Sequence, residues 1–270
     1  MSWPEVMFKE KAHIFLRIMN KRWSVAPLEA AAIEKILLRF DFPRARILDL
    51  MCGNGRLAVY LAEKGYEVVG VDFSELFIED AKKRARLMGV SDKTEFLVVD
   101  IRNLYESLKD YAPFDVVLNF WTSIGYYGEE VDFKMFKDAR KLTNEGGIFI
   151  IADTISKESL LMNFNPSTYS EFDDLIILHN AHFDPVESII DDLWRFYEKR
   201  GPNLFFLDSI RVRVRVYSLS EIKSLLEKAG WKVIAAYDSI FTLEPAKKFS
   251  EINIVAKAVT ESIKDEVYFF

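Results

Sequence analysis

The chain has 270 residues, 50% hydrophobic and 29% charged, enough to bury a substantial core as one large domain or a domain carrying an insertion. Its net charge of −6 lacks the broad positive field of a nucleic-acid binder and argues against that partner, while leaving a local basic patch open. One cysteine rules out an internal disulfide framework, and no apolar stretch approaches the roughly 20 residues that span a membrane. The first ten residues mix polar and aromatic side chains with no signal-peptide pattern, so a cytoplasmic protein without a membrane partner is expected.

Residues 8–23 carry apolar side chains at helical spacing: Phe8, Ala12, Phe15, Leu16, Met19 and Trp23. A second helix is expected over 27–40, with Pro27 suited to its first turn. Residues 1–45 therefore read as an N-terminal helical segment. Strand one covers 46–50 and contains Asp49; a tight glycine turn follows, then a helical pattern of Leu57, Ala58, Leu61 and Ala62. Glycine opens backbone conformations closed to other residues and lets a ligand approach the main chain. Strand two, 67–72, ends in Asp72, and Ser74 caps a helix running to about 88. Strand three, 94–99, has Asp100 at its tip; strand four, 114–119, ends at Asn119. A helix over 132–141 and strand five over 148–152 complete the alternation. Strands alternating with helices argue a parallel sheet covered on both faces, whose right-handed crossovers bring all carboxyl ends to one edge. Asp49, Asp72, Asp100 and Asn119 fall on that edge, where ligands bind in open α/β sheets.

After Asp153 the pattern changes. Extended runs at 175–178, 193–197 and 210–216, with a turn at 199–203, read as antiparallel strands inserted over 156–216. The last run alternates apolar residues with Arg211, Arg213 and Arg215, which form either a solvated face or a footprint for an anionic substrate or RNA. The parallel pattern resumes with a helix over 218–228 and strands six and seven at 231–237 and 252–258, so the main domain comprises 46–155 and 217–259. The 260–270 tail is unassigned.

The run Ile47-Leu48-Asp49-Leu50-Met51-Cys52-Gly53-Asn54-Gly55-Arg56, followed by Gly70-Val71-Asp72-Phe73-Ser74, resembles the nucleotide loop of class I S-adenosylmethionine-dependent methyltransferases. That loop usually reads acid-x-Gly-Cys-Gly-x-Gly-Arg. Met51 stands where its first glycine stands, which is tolerable if the backbone there needs no positive φ. Residues 98–102 resemble the family's adenine-recognition segment, and 114–127 resemble the segment after strand four in its small-molecule members. The likeness covers 40–155 and, more loosely, 217–259. The stretch Gly53-Asn54-Gly55-Arg56-Leu57-Ala58 also matches a dinucleotide-binding loop and leaves an NAD(P)-dependent oxidoreductase open; Asp49 inside the strand favours the methyltransferase.

The resemblance implies an α/β fold: a Rossmann-like, seven-stranded, mainly parallel sheet with an antiparallel last strand, plus an inserted antiparallel β lid. It implies S-adenosyl-L-methionine as cofactor. The loop of Cys52, Gly53, Asn54 and Gly55 would face its methionine part, with Asp49 near the charged amine. Asp72 would hold the ribose hydroxyls, Phe73 or Ile101 would sandwich the adenine, and Asp100 would accept from its exocyclic amine. Asn119, Phe120 and Trp121 would lie beside the sulfonium. The leading helices would close over the cofactor, bringing Arg22 or Trp23 to it.

Methyl transfer from a sulfonium is a direct displacement, and a general base is needed only if the acceptor must lose a proton. His179 and His182, Tyr126 and its neighbour Tyr127 are the candidates. A spacing of three in an extended segment puts the two histidines on opposite faces, so no metal pair is expected. Cys52 reads as a small loop residue, not a nucleophile. The expected activity is methyl transfer to nitrogen or oxygen of a small-molecule acceptor; an RNA or protein methyltransferase and a non-catalytic cofactor-binding protein stay open.

Overall fold

The computed structural model describes residues 2–259, so the 260–270 tail lies outside the described residues. The chain opens with a one-turn helix α1 (Trp3–Glu5), a π-helical segment (Val6–Glu10) and helices α2 (Ala12–Arg22) and α3 (Ala26–Arg39). Pro27 lies in the first turn of α3, where its missing N–H is no loss.

The alternating core follows: β1 (Arg46–Leu50), α4 (Arg56–Glu63), β2 (Glu67–Asp72), α5 (Glu75–Leu87), β3 (Thr94–Val98), α6 (Leu104–Leu108), β4 (Phe114–Phe120), α7 (Glu129–Lys141) and β5 (Thr143–Thr154). After the insert come α9 (Leu219–Lys228), β10 (Trp231–Ala236) and β11 (Ile252–Ala258), with α8 and β6–β9 in between. The sheet order is β10-β11-β5-β4-β1-β2-β3. β1 to β5 run parallel, and β11 is antiparallel to both β5 and β10. This is the seven-stranded, mainly parallel arrangement expected from the sequence. Strand five begins earlier than the expected 148: β5 already starts at Thr143, with a bulge where the pairing shifts from Phe114↔Thr143 to Val116↔Ile148.

Strands β1 and β4 are buried along nearly their whole length because helices cover both faces. One layer packs Ile47, Val68 and Val116 against α3, α4 and α5; the other packs Leu48, Val117 and Phe149 against α6, α7 and α9.

The insert holds α8 (Lys157–Met162) and the strands β6 (Ser167–Phe172), β7 (Leu175–Asp184), β8 (Ile189–Arg200) and β9 (Asn203–Arg215), an antiparallel meander. The short α8 was not expected from the sequence; Ser156 caps it, its hydroxyl accepting from the Ser159 N–H at 2.9 Å. Register puts Ile177 beside Phe196, and Trp194 beside both His179 and Ile210. This face packs on Phe8, Phe15 and Ile18 from the N-terminal helices.

The opposite face carries the alternating arginines. Arg211 and Arg213 flank Asp191 at 3.5 and 3.4 Å, and Arg215 pairs with Glu221 at 2.7 Å. The end of β9 is fastened to the loop after β4: the Arg215 N–H donates to the Gly125 carbonyl, and Asp132 accepts from the Gly125 N–H at 3.0 Å and the Tyr217 hydroxyl at 2.7 Å.

Candidate active site

The carboxyl edge is built from backbone that ordinary residues avoid. Met51 after β1, Trp121 after β4 and Asp153 near the end of β5 all have positive φ, at 54°, 63° and 55°. Left-handed backbone at a residue with a Cβ costs roughly 1–2 kcal/mol, and such strain clusters where a binding edge over-determines the chain. The condition under which methionine replaces the usual first glycine without cost is therefore not met: the backbone at Met51 does take the glycine-like conformation. Gly53 and Gly55 follow with φ of 55° and 72°. A Cβ on Gly53 would lie 2.8 Å from Met19 Sδ, and one on Gly55 would lie 2.9 Å from Ala81 and Phe96. Gly53 thus lets α2 approach the loop, while Gly55 lets α4 settle on its neighbours.

Asp72 fastens this loop. One carboxylate oxygen accepts from the Gly53 N–H at 3.0 Å, the other from the Ser74 N–H at 2.9 Å. Burial raises its pKa to about 6 against the pull of these donors. Asp49 is buried with no hydrogen bond to its carboxylate among the described residues; burial, and then the charge of Asp72, raise its pKa to about 8. Asp100 is engaged by the Arg102 guanidinium, at 2.6 and 3.0 Å, and Arg102 also reaches Glu5 at 3.0 Å. Burial opposes ionisation of Asp100, but Arg102 outweighs it and holds the carboxyl below its usual range. Burial pushes the Cys52 thiol up, which suits a loop residue and not a nucleophile.

These groups line a narrow cavity of about 80 Å³. Asp49, Cys52, Gly53, Asn54, Asp72, Phe73, Asp100, Ile101, Phe120 and Trp121 all reach it, with Phe8, Phe15 and Met19 from the leading helices. Two expected residues do not. Gly55 is spent on helix packing, and Asn119 is buried, its amide donating to the Leu50 carbonyl at 3.4 Å. Asn54 reaches the cavity while its amide is tied to Asn20 at 3.3 Å and Asp80 at 3.2 Å. Of the two N-terminal side chains expected at the site, Arg22 stacks 4.8 Å over Trp121, whereas Trp23 is turned away against Arg84 and Tyr60. Arg56, which closes the loop motif in the sequence but has no role assigned there, lines the cavity and forms a buried ion pair with Glu29.

A second cavity, about 240 Å³, lies beneath the insert and shares Phe8, Phe15, Trp121 and Tyr126 with the first. His179 reaches it. His182 does not: it pairs with Asp191 on the arginine-bearing face. Tyr126 stacks on Phe8 at 5.6 Å, and burial pushes its phenol well above the usual range. Tyr127 is pushed up to about 12, again chiefly by burial. Ser170 and Asp192, which bracket His179, carry no local signal in the sequence; only the strand register brings them together.

A buried carboxylate with no partner, ringed by Phe and Trp side chains beside a glycine loop, fits a ligand bearing positive charge next to a polar backbone-binding part. A family profile described as "Methyltransferase domain" matches residues 41–200. A candidate methyltransferase of Geobacillus sp. (strain WCH70) is 26% identical over 93% of this chain and 99% of its own. The fold is shared with an S-adenosylmethionine-dependent methyltransferase from Clostridium acetobutylicum ATCC 824 (TM-score 0.72, 21% identity, 92% and 98% of the two chains). It is also shared with an amino pentose methyltransferase from Micromonospora echinaspora solved with S-adenosylmethionine bound (TM-score 0.68, 13% identity, 91% and 97%). Among the described residues no helix is long and apolar enough to cross a membrane. The chain belongs to the methyltransferase domain family.

Proposed function

We propose that the narrow cavity holds S-adenosylmethionine and that the cavity beneath the insert holds a small-molecule acceptor, methylated on nitrogen or oxygen. The observation that carries this reading is the shared wall. Trp121 and Tyr126 line both spaces, so a donor in one and an acceptor in the other adjoin. In the donor cavity Asp49 would face the cationic amine and Asp72 the ribose hydroxyls. Phe73 and Ile101 would flank the adenine, with Asp100 at its amine. The main chain at Cys52, Gly53 and Asn54 would meet the methionine part, beside Phe120 and Trp121. The donor supplies an electrophilic methyl group. The chain aligns the acceptor with it and keeps water out. Residues 156–216 would act as the lid.

A small acceptor is favoured over RNA because the alternating arginines, the one basic stripe noted in the sequence, are paired with acids and turned from both cavities. Calorimetry with S-adenosylmethionine and with NADPH tests the donor half. Transfer of a radiolabelled methyl group to small metabolites, tRNA and protein extract tests the acceptor half. Label appearing only in tRNA or protein would overturn it.

A further inference from the structure

The cavity beneath the insert has apolar walls broken by one polar cluster. His179 Nδ1 lies 2.9 Å from Asp192 Oδ2, and the same oxygen accepts from the Trp194 indole N–H at 2.6 Å. An oxygen that already accepts one N–H and sits against a ring nitrogen fixes the tautomer: Nδ1 carries the proton and Nε2 presents its lone pair. Trp194 also packs edge-on to the imidazole at 5.1 Å, so the ring is held on two sides. Nε2 faces Ser170 Oγ at 3.3 Å at the cavity wall, where an acceptor hydroxyl can share or displace the serine. The remaining lining is Met7 with Ile, Val, Leu and aromatic side chains, Thr122 and the Tyr126 hydroxyl being the other polar groups.

We infer that this cavity takes an apolar, ring-sized phenol, and that His179, positioned by Asp192 and Trp194, accepts the phenol's proton as its oxygen takes the methyl group. The inference rests on the acceptor reading above. Polarity selects the class: the walls are apolar and aromatic around the His179 cluster, which suits an aromatic ring that brings one hydroxyl to the imidazole. A sugar would strand several hydroxyls against these walls, whereas a phenol brings a single hydroxyl to the polar cluster. A phenol, with a pKa of about 10, gives its proton to an imidazole at far lower cost than an aliphatic alcohol does. The phenol oxygen forms a bond to the methyl carbon while the carbon–sulfur bond breaks and its electron pair stays on sulfur. The hydroxyl proton moves to Nε2, and the imidazolium later releases it to water. The products are an aryl methyl ether and S-adenosylhomocysteine.

The test uses the full chain, S-adenosylmethionine, and 2-naphthol with a series of phenols made progressively more acidic by nitro groups; an arylamine and an amino sugar are parallel acceptors. His179→Asn keeps an N–H aimed at Asp192 and removes the base. With 2-naphthol its kcat should fall about 10²–10³-fold with KM and donor affinity unchanged. The defect should shrink toward unity as the phenols become acidic enough to enter ionised. Asp192→Asn should show the same trend more weakly, and calorimetric binding of 2-naphthol should survive in both variants. A defect of equal size across the series would overturn the role of His179, and wild-type turnover of the amine or sugar but no phenol would overturn the class. Failure of the wild type to bind the donor would instead sink the reading on which this one rests.

Discussion

Asp49 and Asp72 end up on neighbouring parallel strands facing one cavity, and the charge of Asp72 makes Asp49 harder to ionise. Burial does most of the work, lifting Asp49 from 3.8 to about 8. The folded chain therefore holds a proton that the unfolded chain has already released. Stability of the donor-free protein should fall as pH rises from about 4 to about 8, and Asp72, raised to about 6, adds in the same direction. Asp49→Asn should flatten that slope and stabilise the donor-free protein at pH 8 by on the order of 2–5 kcal/mol. Urea titrations at pH 5 and pH 8 measure it. The same variant should lose the strengthening of donor binding between pH 6 and 8, because a cationic donor favours the ionised carboxylate. A wild-type stability that climbs with pH over this range would contradict the assignment.

Asp72 does two things at once, so its removal should have two effects. Asp72→Ala frees the Gly53 and Ser74 N–H groups, and stability should drop by about 1–3 kcal/mol. Donor affinity should weaken by about 2–4 kcal/mol if its carboxylate also holds the ribose hydroxyls. Melting curves and calorimetry on the same preparation separate the two. A folded variant with unaltered donor affinity would remove Asp72 from the ribose.

Met51 tests the strained edge directly. Its left-handed backbone is tolerable for an unbranched side chain and poor for a branched one. Met51→Gly relieves the strain but gives up apolar contact and adds chain entropy, so its stability should lie within about 1 kcal/mol of wild type. Met51→Val should be lower by a further 1–3 kcal/mol or so. Denaturant midpoints for the pair decide it; equal midpoints would mean that the backbone at 51 carries no strain.

What the sequence made legible follows from range. Period and punctuation are local, so the seven strands, the glycine loop and the acids at the tips of β1 and β2 can be read from short windows. Asn119 shows the limit: its place at the end of β4 was clear, but which way its amide turns depends on the register with Leu50 and β5. His179 and His182 were separable by strand alternation alone, yet nothing local says which one faces the cavity. That depends on the N-terminal helices packing on the Ile177 and Phe196 face. Met51 reversed the expectation in the other direction, since the loop geometry kept the family's backbone while the side chain departed from it. Ser156, a good cap, marks α8 in hindsight, but a six-residue helix is too short for periodicity to show.

Gly125 is where the insert is seated, and it gives the most direct test that the lid and the donor edge are separable. Its φ is 94°, its carbonyl accepts from the Arg215 N–H at 3.0 Å, and its own N–H donates to the buried Asp132. A Cβ there would lie 2.0 Å from the Arg215 carbonyl oxygen and 3.0 Å from Val214 Cγ1. Backbone cannot yield as a flexible side chain does, so Gly125→Ala must push the end of β9 away from the loop after β4. Overpacking and the positive φ together should cost about 2–4 kcal/mol, which a fold of this size can absorb. Val214 lines the cavity beneath the insert, and Tyr126, the next residue after Gly125, lines both cavities, so under the proposed function the displacement falls on acceptor alignment first. Misplacement on the scale of 1 Å is worth up to about a hundredfold in rate. The variant should therefore show an acceptor kcat/KM reduced roughly tenfold to a hundredfold, with donor affinity changed little, because Asp49, Asp72 and the glycine loop lie on other strands. A folded Gly125→Ala protein that keeps its acceptor kinetics, or one that loses donor binding in equal measure, would show that the seating of β9 on this loop does not set the acceptor cavity.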